Sequence, residues 1–364
     1  MTAASTTPWM MTPDVAQRQW SDFLRKMSKM PRVMEIARNV RVGATPADVI
    51  FRRDELRVLH YTNEAERSFT SPLLFVFALL NRPYILDLRP GKSVVEHFVH
   101  RGFDTYKVDW GVPSATDRFL DMADYIEGYM DEVVDRLRDR TGCERVNILG
   151  YCMGGTMSAM YAALHPEKLR NLILLAAPVD WSNRDNLLAR WTASDVFDVD
   201  KLIDVCGNAP ADMLQGSFLL LKPIANLVEK YFTFYENMDN EKFLEDFFAM
   251  ETWLNDNIPV AGEMFRQFVK FCMQENRLMN GTLRIAERVV DLRNITCPVL
   301  NLTAENDHLV PCGQSIPFND AVGSKDRTHI NFPAGHIGMA VGSRANRDLW
   351  PKACDWLAQR SERV

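Results

Sequence analysis

Residues 147 to 156 read Asn-Ile-Leu-Gly-Tyr-Cys-Met-Gly-Gly-Thr, an apolar strand-like run that ends in glycines and passes into the helical stretch Met157 to Leu164. Cys152 stands between Gly150 and Gly154, the G-x-C-x-G pattern of a nucleophile elbow, in which a reactive side chain sits on a strained strand-to-helix turn. Each part of the spacing serves the chemistry. Glycines permit a close backbone approach that a side chain would block, and the N-terminus of the following helix favours a thiolate. The backbone N–H of Met153 would then face an oxyanion. A buried structural cysteine beside a helix-packing glycine would give the same string, so the pattern needs partners.

Two partners follow in the order acid, then histidine. Asp307 lies in Ala304-Glu305-Asn306-Asp307-His308, a polar turn after the apolar run Pro298 to Thr303, where a carboxylate would be delivered at a strand end. His336 lies in Pro333-Ala334-Gly335-His336-Ile337-Gly338, a lone histidine with glycines on both sides, suited to a base that must reach across to the thiol. His308 comes too early in the chain for the base and is expected to support the triad from behind. A second oxyanion donor is expected from the segment Phe77 to Pro83, with the backbone N–H of Leu80 as the candidate. His97 and His100 share a helix face, but no HExxH pattern or third ligand accompanies them, so no metal is assigned. No cofactor is assigned either.

The elements that must position these residues alternate. Short apolar runs at Glu55 to Tyr61, Pro72 to Leu80, Asp104 to Trp110, Val146 to Leu149 and Leu172 to Ala176 read as strands. Between them lie Ser93 to His100 and a helix whose stripe is Ile126, Met130, Val133, Val134 and Leu137. Such alternation implies an α/β fold with a mostly parallel sheet and right-handed crossovers. The alternation stops after Asp180 and resumes at Pro298 to Thr303 and Thr328 to Phe332. The expected organisation is therefore a helical preface over 1–50, a first core segment over 51–180, a helical cap insertion over 181–290 and a second core segment over 291–364. The cap region holds 15 of the chain's 37 aromatic residues, which fits an apolar underside.

Composition bounds the function classes. The 364 residues carry a formal charge of −6, so no basic field exists to draw nucleic acid. The longest apolar run, Leu73 to Leu80, is far below the roughly 20 residues needed to span a bilayer. The first basic residue is Arg18, with no apolar block behind it, so a cytoplasmic location is expected. The 7 cysteines are scattered without a C-x-x-C pair, and each thiol needs its own explanation.

Together these residues resemble the polyhydroxyalkanoate synthases, and the resemblance runs from about residue 45 onward. It is carried by LLNRPYILDLRPGKSVVEHFVHRGFDTYKVDWG (79 to 111), NILGYCMGGTMSAMYAALHPEKLRNL (147 to 172), GEMFRQFVK (262 to 270), VDLRNITCPVLNLTAENDHLVP (290 to 311) and FPAGHIGM (332 to 339). The resemblance implies an α/β-hydrolase fold and places the family's nucleophile on Cys152, its acid on Asp307 and its base on His336. It implies an acyltransferase that consumes 3-hydroxyacyl-coenzyme A and extends a polyester chain at a granule surface. The short length is similar to the forms that act with a small accessory subunit of the PhaE or PhaR type, implying a hetero-complex or homo-oligomer. The runner-up is a cysteine hydrolase of the dienelactone hydrolase type, which shares the elbow but lacks the cap and the preface.

Overall fold

The computed structural model describes residues 12–61, 67–184 and 186–364, and they divide into two compact units. The larger unit, 42–222 with 253–364, is built on an eight-stranded sheet. Its strands are β1 (Ala47–Arg53), β2 (Leu56–Tyr61), β3 (Leu73–Val76), β6 (Thr105–Asp109), β7 (Val146–Tyr151), β8 (Leu169–Leu175), β11 (Val299–Ala304) and β12 (Arg327–Phe332). Two short ribbons, β4 (Asp87–Arg89) with β5 (Lys92–Ser93) and β9 (Arg284–Ile285) with β10 (Arg288–Val289), complete the strands. The sheet order is β1-β2-β6-β3-β7-β8-β11-β12, antiparallel over its first three strands and parallel from β6 onward. The α/β-hydrolase class expected from the elbow and the strand alternation is thus the fold observed.

Burial follows position in this sheet. The central strands β3, β7 and β11 are buried at every residue, as parallel strands covered on both faces must be, and their sequences are mostly apolar, with Asn147 and Asn301 among the buried polar exceptions. Edge strand β1 is mostly exposed, and its sequence Ala-Asp-Val-Ile-Phe-Arg-Arg lacks the alternation that announces a half-buried strand. That is why the sequence pattern starts the core at 51 rather than at Ala47. Helix α5 (Met153–Leu164) is buried on every side, which its Gly, Ala and Met content permits without steric cost. Strand β3 is shorter than the expected Pro72 to Leu80, because Phe77 to Leu80 leave the sheet as a turn at its carboxyl edge.

Among the described residues, the smaller unit joins 12–41 to 223–252. It contains α1 (Pro13–Ser28) and α2 (Met30–Asn39), helices within the expected preface, with Pro31 in the first turn of α2. Val33 and Ile36 pack with Met238 and Leu244, flanked by Phe234, Phe243 and Phe248. The grouping thus cuts across the expected preface over 1–50 and cap over 181–290. Part of the cap region shares a core with the preface, because the amphipathic α2 buries its apolar stripe on helices some two hundred residues away.

Within the larger unit, Lys107 on β6 is almost completely buried beside Asp87 and Asp109. Burial disfavours its ammonium and the two carboxylates only partly offset this, so its pKa falls to about 8. Asp87 is otherwise held by Thr45 and Ser93, and Asp109 by Arg57 and the Gly111 N–H. A lysine titrating lower when folded than unfolded binds fewer protons in the native state. Its penalty is complete below pH 8 and is relieved as pH rises through 8 toward the unfolded value of 10.5. Chemical denaturation of wild type and Lys107→Met at pH 7 and pH 10 should show wild type gaining up to about 3 kcal/mol relative to the variant. An unchanged difference would show that Lys107 is not desolvated.

Candidate active site

Cys152 follows β7 directly and is the N-cap of α5, with φ 56° and ψ −130°. A non-glycine residue rarely adopts positive φ, and the conformation costs on the order of 1–3 kcal/mol, held here by its surroundings. The Cys152 N–H donates to Leu175 O on β8 (2.9 Å), and Cys152 O accepts from Gly155 N (2.8 Å) and Thr156 N (3.2 Å). Gly154 is required by contact rather than by φ. A Cβ there would lie 2.5 Å from Val76 O and from the Phe77 carbonyl carbon, so α5 could not approach the end of β3 with any side chain at this position. Gly150 is in the same condition, 2.6 Å from the Gly155 Cα.

Asp307 lies beyond β11 and His336 beyond β12, where it opens the helix His336–Val341. All three side chains therefore converge at the carboxyl edge of the sheet. His336 Nδ1 is 2.6 Å from Asp307 Oδ2, and the Cys152 thiol lies close enough to act on the same imidazole. The other Asp307 oxygen, Oδ1, accepts from the backbone N–H groups of Leu309 (2.9 Å) and Val310 (2.8 Å), which aim the carboxylate at the imidazole. Burial opposes the imidazolium, but the charges of Asp307 and Cys152 and their hydrogen bonds outweigh it and raise the His336 pKa to about 10. A thiol, an imidazole and a carboxylate brought together in this way are what a nucleophile, base and orienting acid would require.

Other cysteines lack this environment. Burial pushes the Cys272 and Cys297 thiols up to about 12 and raises that of Cys354 as well, so they stay protonated and inert.

His308 does not have the supporting position expected of it. Its side chain is exposed, and the backbone amides of Leu309 and Val310 do the work of fixing Asp307 instead. Leu80 lies in the turn after β3 and lines the same cavity as Cys152 and Met153.

Sequence reasoning missed Tyr151. Its ring, fully buried, stacks on His336 with centroids 5.0 Å apart and planes at 28°, and its hydroxyl donates to His336 O (3.0 Å). It also packs against Phe77, centroids 5.4 Å apart and planes at 57°. The only signal available in sequence is an aromatic residue next to the nucleophile.

Above the elbow is a cavity of about 150 Å³. Its walls come from Trp181, the helices Leu187–Trp191, Ala211–Leu220 and Gly262–Gln267, and the π-helical turn Phe268–Gln274. The lining is apolar and aromatic. The hydroxyls of Thr192 and Ser217, which also line it, donate to their own helical carbonyls, Leu188 O (2.8 Å) and Met213 O (2.9 Å). These walls offer water few partners.

Fold and elbow together define a member of the α/β-hydrolase fold family, and a model of that family matches residues 72–343. Solved structures agree on the fold. One of the two metagenome-derived lipolytic enzymes LipS and LipT superposes with a TM-score of 0.51 at 11% identity, covering 83% of this chain and 97% of its own. A carboxylesterase of the thaumarchaeon Nitrososphaera gargenis gives 0.50 at 15% identity, covering 86% and 98%. A model of the poly-beta-hydroxybutyrate polymerase (PhaC) N-terminus matches residues 10–98. The poly(3-hydroxyalkanoate) polymerase subunit PhaC of Haloferax mediterranei is 44% identical over 98% of this chain and 73% of its own length. That of Allochromatium vinosum is 39% identical over 96% and 98%, and that of Synechocystis sp. is 40% identical over 88% and 86%. The chain belongs to the poly(3-hydroxyalkanoate) polymerase subunit PhaC family.

Proposed function

We propose that this enzyme, an acyltransferase, polymerises (R)-3-hydroxyacyl-coenzyme A, with 3-hydroxybutyryl-coenzyme A as the expected substrate, through an acyl group carried on Cys152. Polymerisation of hydroxyalkanoate units follows from family membership. The observation that carries the covalent mechanism is the contact of Cys152 with His336, itself oriented by Asp307, under an apolar cavity.

His336 takes the Cys152 proton and becomes an imidazolium, a step that its raised pKa favours. The thiolate attacks the thioester carbonyl, and the oxyanion is held by the N–H groups of Met153 and Leu80. A new carbon–sulfur bond forms at Cys152, the bond to coenzyme A breaks, and the departing thiolate takes the imidazolium proton. His336 is left neutral and able to accept the proton of a 3-hydroxyl. That oxygen attacks the acyl-cysteine, the ester forms, and the Cys152 thiolate is released beside the renewed imidazolium. Exchange of one thioester for another keeps the acyl group activated, which a serine ester would not. Asp307 serves this cycle by orienting His336 or by acting on the 3-hydroxyl itself.

The apolar cavity favours transfer over hydrolysis, because water entering it finds few hydrogen-bond partners while the acyl-enzyme waits. With 3-hydroxybutyryl-coenzyme A the protein should release coenzyme A while insoluble polyester accumulates and little free 3-hydroxybutyrate appears. Stoichiometric free acid with no extractable polymer would favour a cysteine hydrolase of the dienelactone hydrolase type. A small accessory subunit of the PhaE or PhaR type, assembly as a hetero-complex or homo-oligomer, and a cytoplasmic location at polymer granules complete the reading. No helix among the described residues is long and apolar enough to cross a membrane.

A further inference from the structure

The reaction just described breaks and remakes the contact that holds its own base. Before acylation the His336 ring is fixed by Asp307 at Nδ1, by the Cys152 sulfur and by the face of Tyr151. After acylation the sulfur is a neutral thioester, so one of the two negative charges facing the imidazole has gone. A single hydrogen bond at Nδ1 leaves a ring free to pivot about that bond.

We propose that Tyr151 is a positioning residue for His336, holding the imidazole in line during the second half-reaction, when the acyl group occupies Cys152. Two contacts do this at once. The stacked ring opposes rotation of the imidazole, and the hydroxyl bond to His336 O fixes the backbone from which the imidazole hangs. Phe77, just past the end of β3, packs at a tilt against the Tyr151 ring, so the elbow, the turn after β3 and the base are linked by ring contacts. The phenol has no acid–base part in this. Burial first, and then the charges of Cys152 and Asp307, push its ionisation well above the ordinary range, so it remains a donor. Asp307, Cys152 and Tyr151 are the ionisable side chains in recorded contact with the imidazole among the described residues. An aromatic face also favours the imidazolium over the neutral ring.

This rests on the acyl-cysteine reading, and stopped-flow coenzyme A release from 3-hydroxybutyryl-coenzyme A separates the two. Wild type should show a burst followed by steady turnover. In Tyr151→Leu the burst should stay within about threefold of wild type while steady turnover falls about 30-fold, in line with the cost of a misplaced reacting group. Tyr151→Phe, which keeps the ring and the fold, should lose only about three- to fivefold, the scale of one neutral hydrogen bond. The acidic limb of the turnover profile should move down by about half a pH unit in Tyr151→Leu and stay in place in Tyr151→Phe. Burst and turnover falling in parallel, or an unmoved acidic limb in Tyr151→Leu, would reduce Tyr151 to a packing residue and overturn the proposal. Failure of Cys152 to carry the acyl group after incubation with butyryl-coenzyme A would sink the acyl-cysteine reading, and this proposal with it.

Discussion

Cys152→Ala should fold as wild type does and lose polymer formation by a factor of about 10⁴ or more, the scale on which removal of a covalent nucleophile acts. The substitution removes one sulfur from a buried site and leaves the backbone contacts of the elbow, Cys152 N to Leu175 O and Cys152 O to Gly155 N, available to alanine. Thermal unfolding therefore serves as the control for an inactive but native protein. The assignment predicts that Cys297→Ala and Cys312→Ala keep their activity, since Cys297 is held protonated by burial and Cys312 is engaged with Ala304 O. Activity retained in Cys152→Ala but lost in either of the others would overturn it.

His336→Gln and Asp307→Asn should separate the two half-reactions. Without His336 no group takes the Cys152 proton, so coenzyme A release should fall by about 10⁴-fold even in a single turnover. Asp307→Asn leaves the histidine beside the sulfur but removes one of the two charges that keep its pKa raised. Acylation should then persist, slowed by roughly ten- to a hundredfold, while elongation, which needs an oriented neutral base, should fail more completely. Rapid-quench measurement of the first coenzyme A equivalent against later ones checks this. Equal first-turnover rates in the two variants would refute the division of labour.

The parts of this site legible in sequence are those that depend on local order. The glycines around Cys152 leave a string that can be read: Gly150 is demanded by Gly155 and Ser158 within the elbow itself, and Gly154, though its contacts are with Val76 and Phe77 at the end of β3, stands in the same short pattern. Asp307 and His336 each follow an apolar run directly, and the chain order acid then histidine is fixed by where β11 and β12 end. Tyr151 was hidden because its function is defined by a carbonyl and a ring 185 residues away, and nothing in its own neighbourhood encodes that contact. His308 shows the related limit that adjacency in sequence does not fix direction: beside the buried Asp307, its own side chain is exposed.

Fold legibility has the same limit. Stripes such as Ile126, Met130, Val133, Val134 and Leu137 announce a helix, yet the first two lie in a π-helical turn, Asp124–Met130, whose wider period a five-residue stripe cannot resolve. The two-unit division was not readable either, because the apolar faces of α2 and of the helix at Glu241–Asn255 show that each must be covered without showing by what.

The most direct measurement uses butyryl-coenzyme A, which can acylate the thiol but carries no 3-hydroxyl to continue the chain. After incubation and acid quench, peptide mass analysis should find one butyryl group on the peptide containing Cys152, with one equivalent of coenzyme A released and no further turnover. A protein that releases coenzyme A from 3-hydroxybutyryl-coenzyme A yet never carries the butyryl group on Cys152, or carries it on another residue, would contradict a cysteine-bound acyl intermediate.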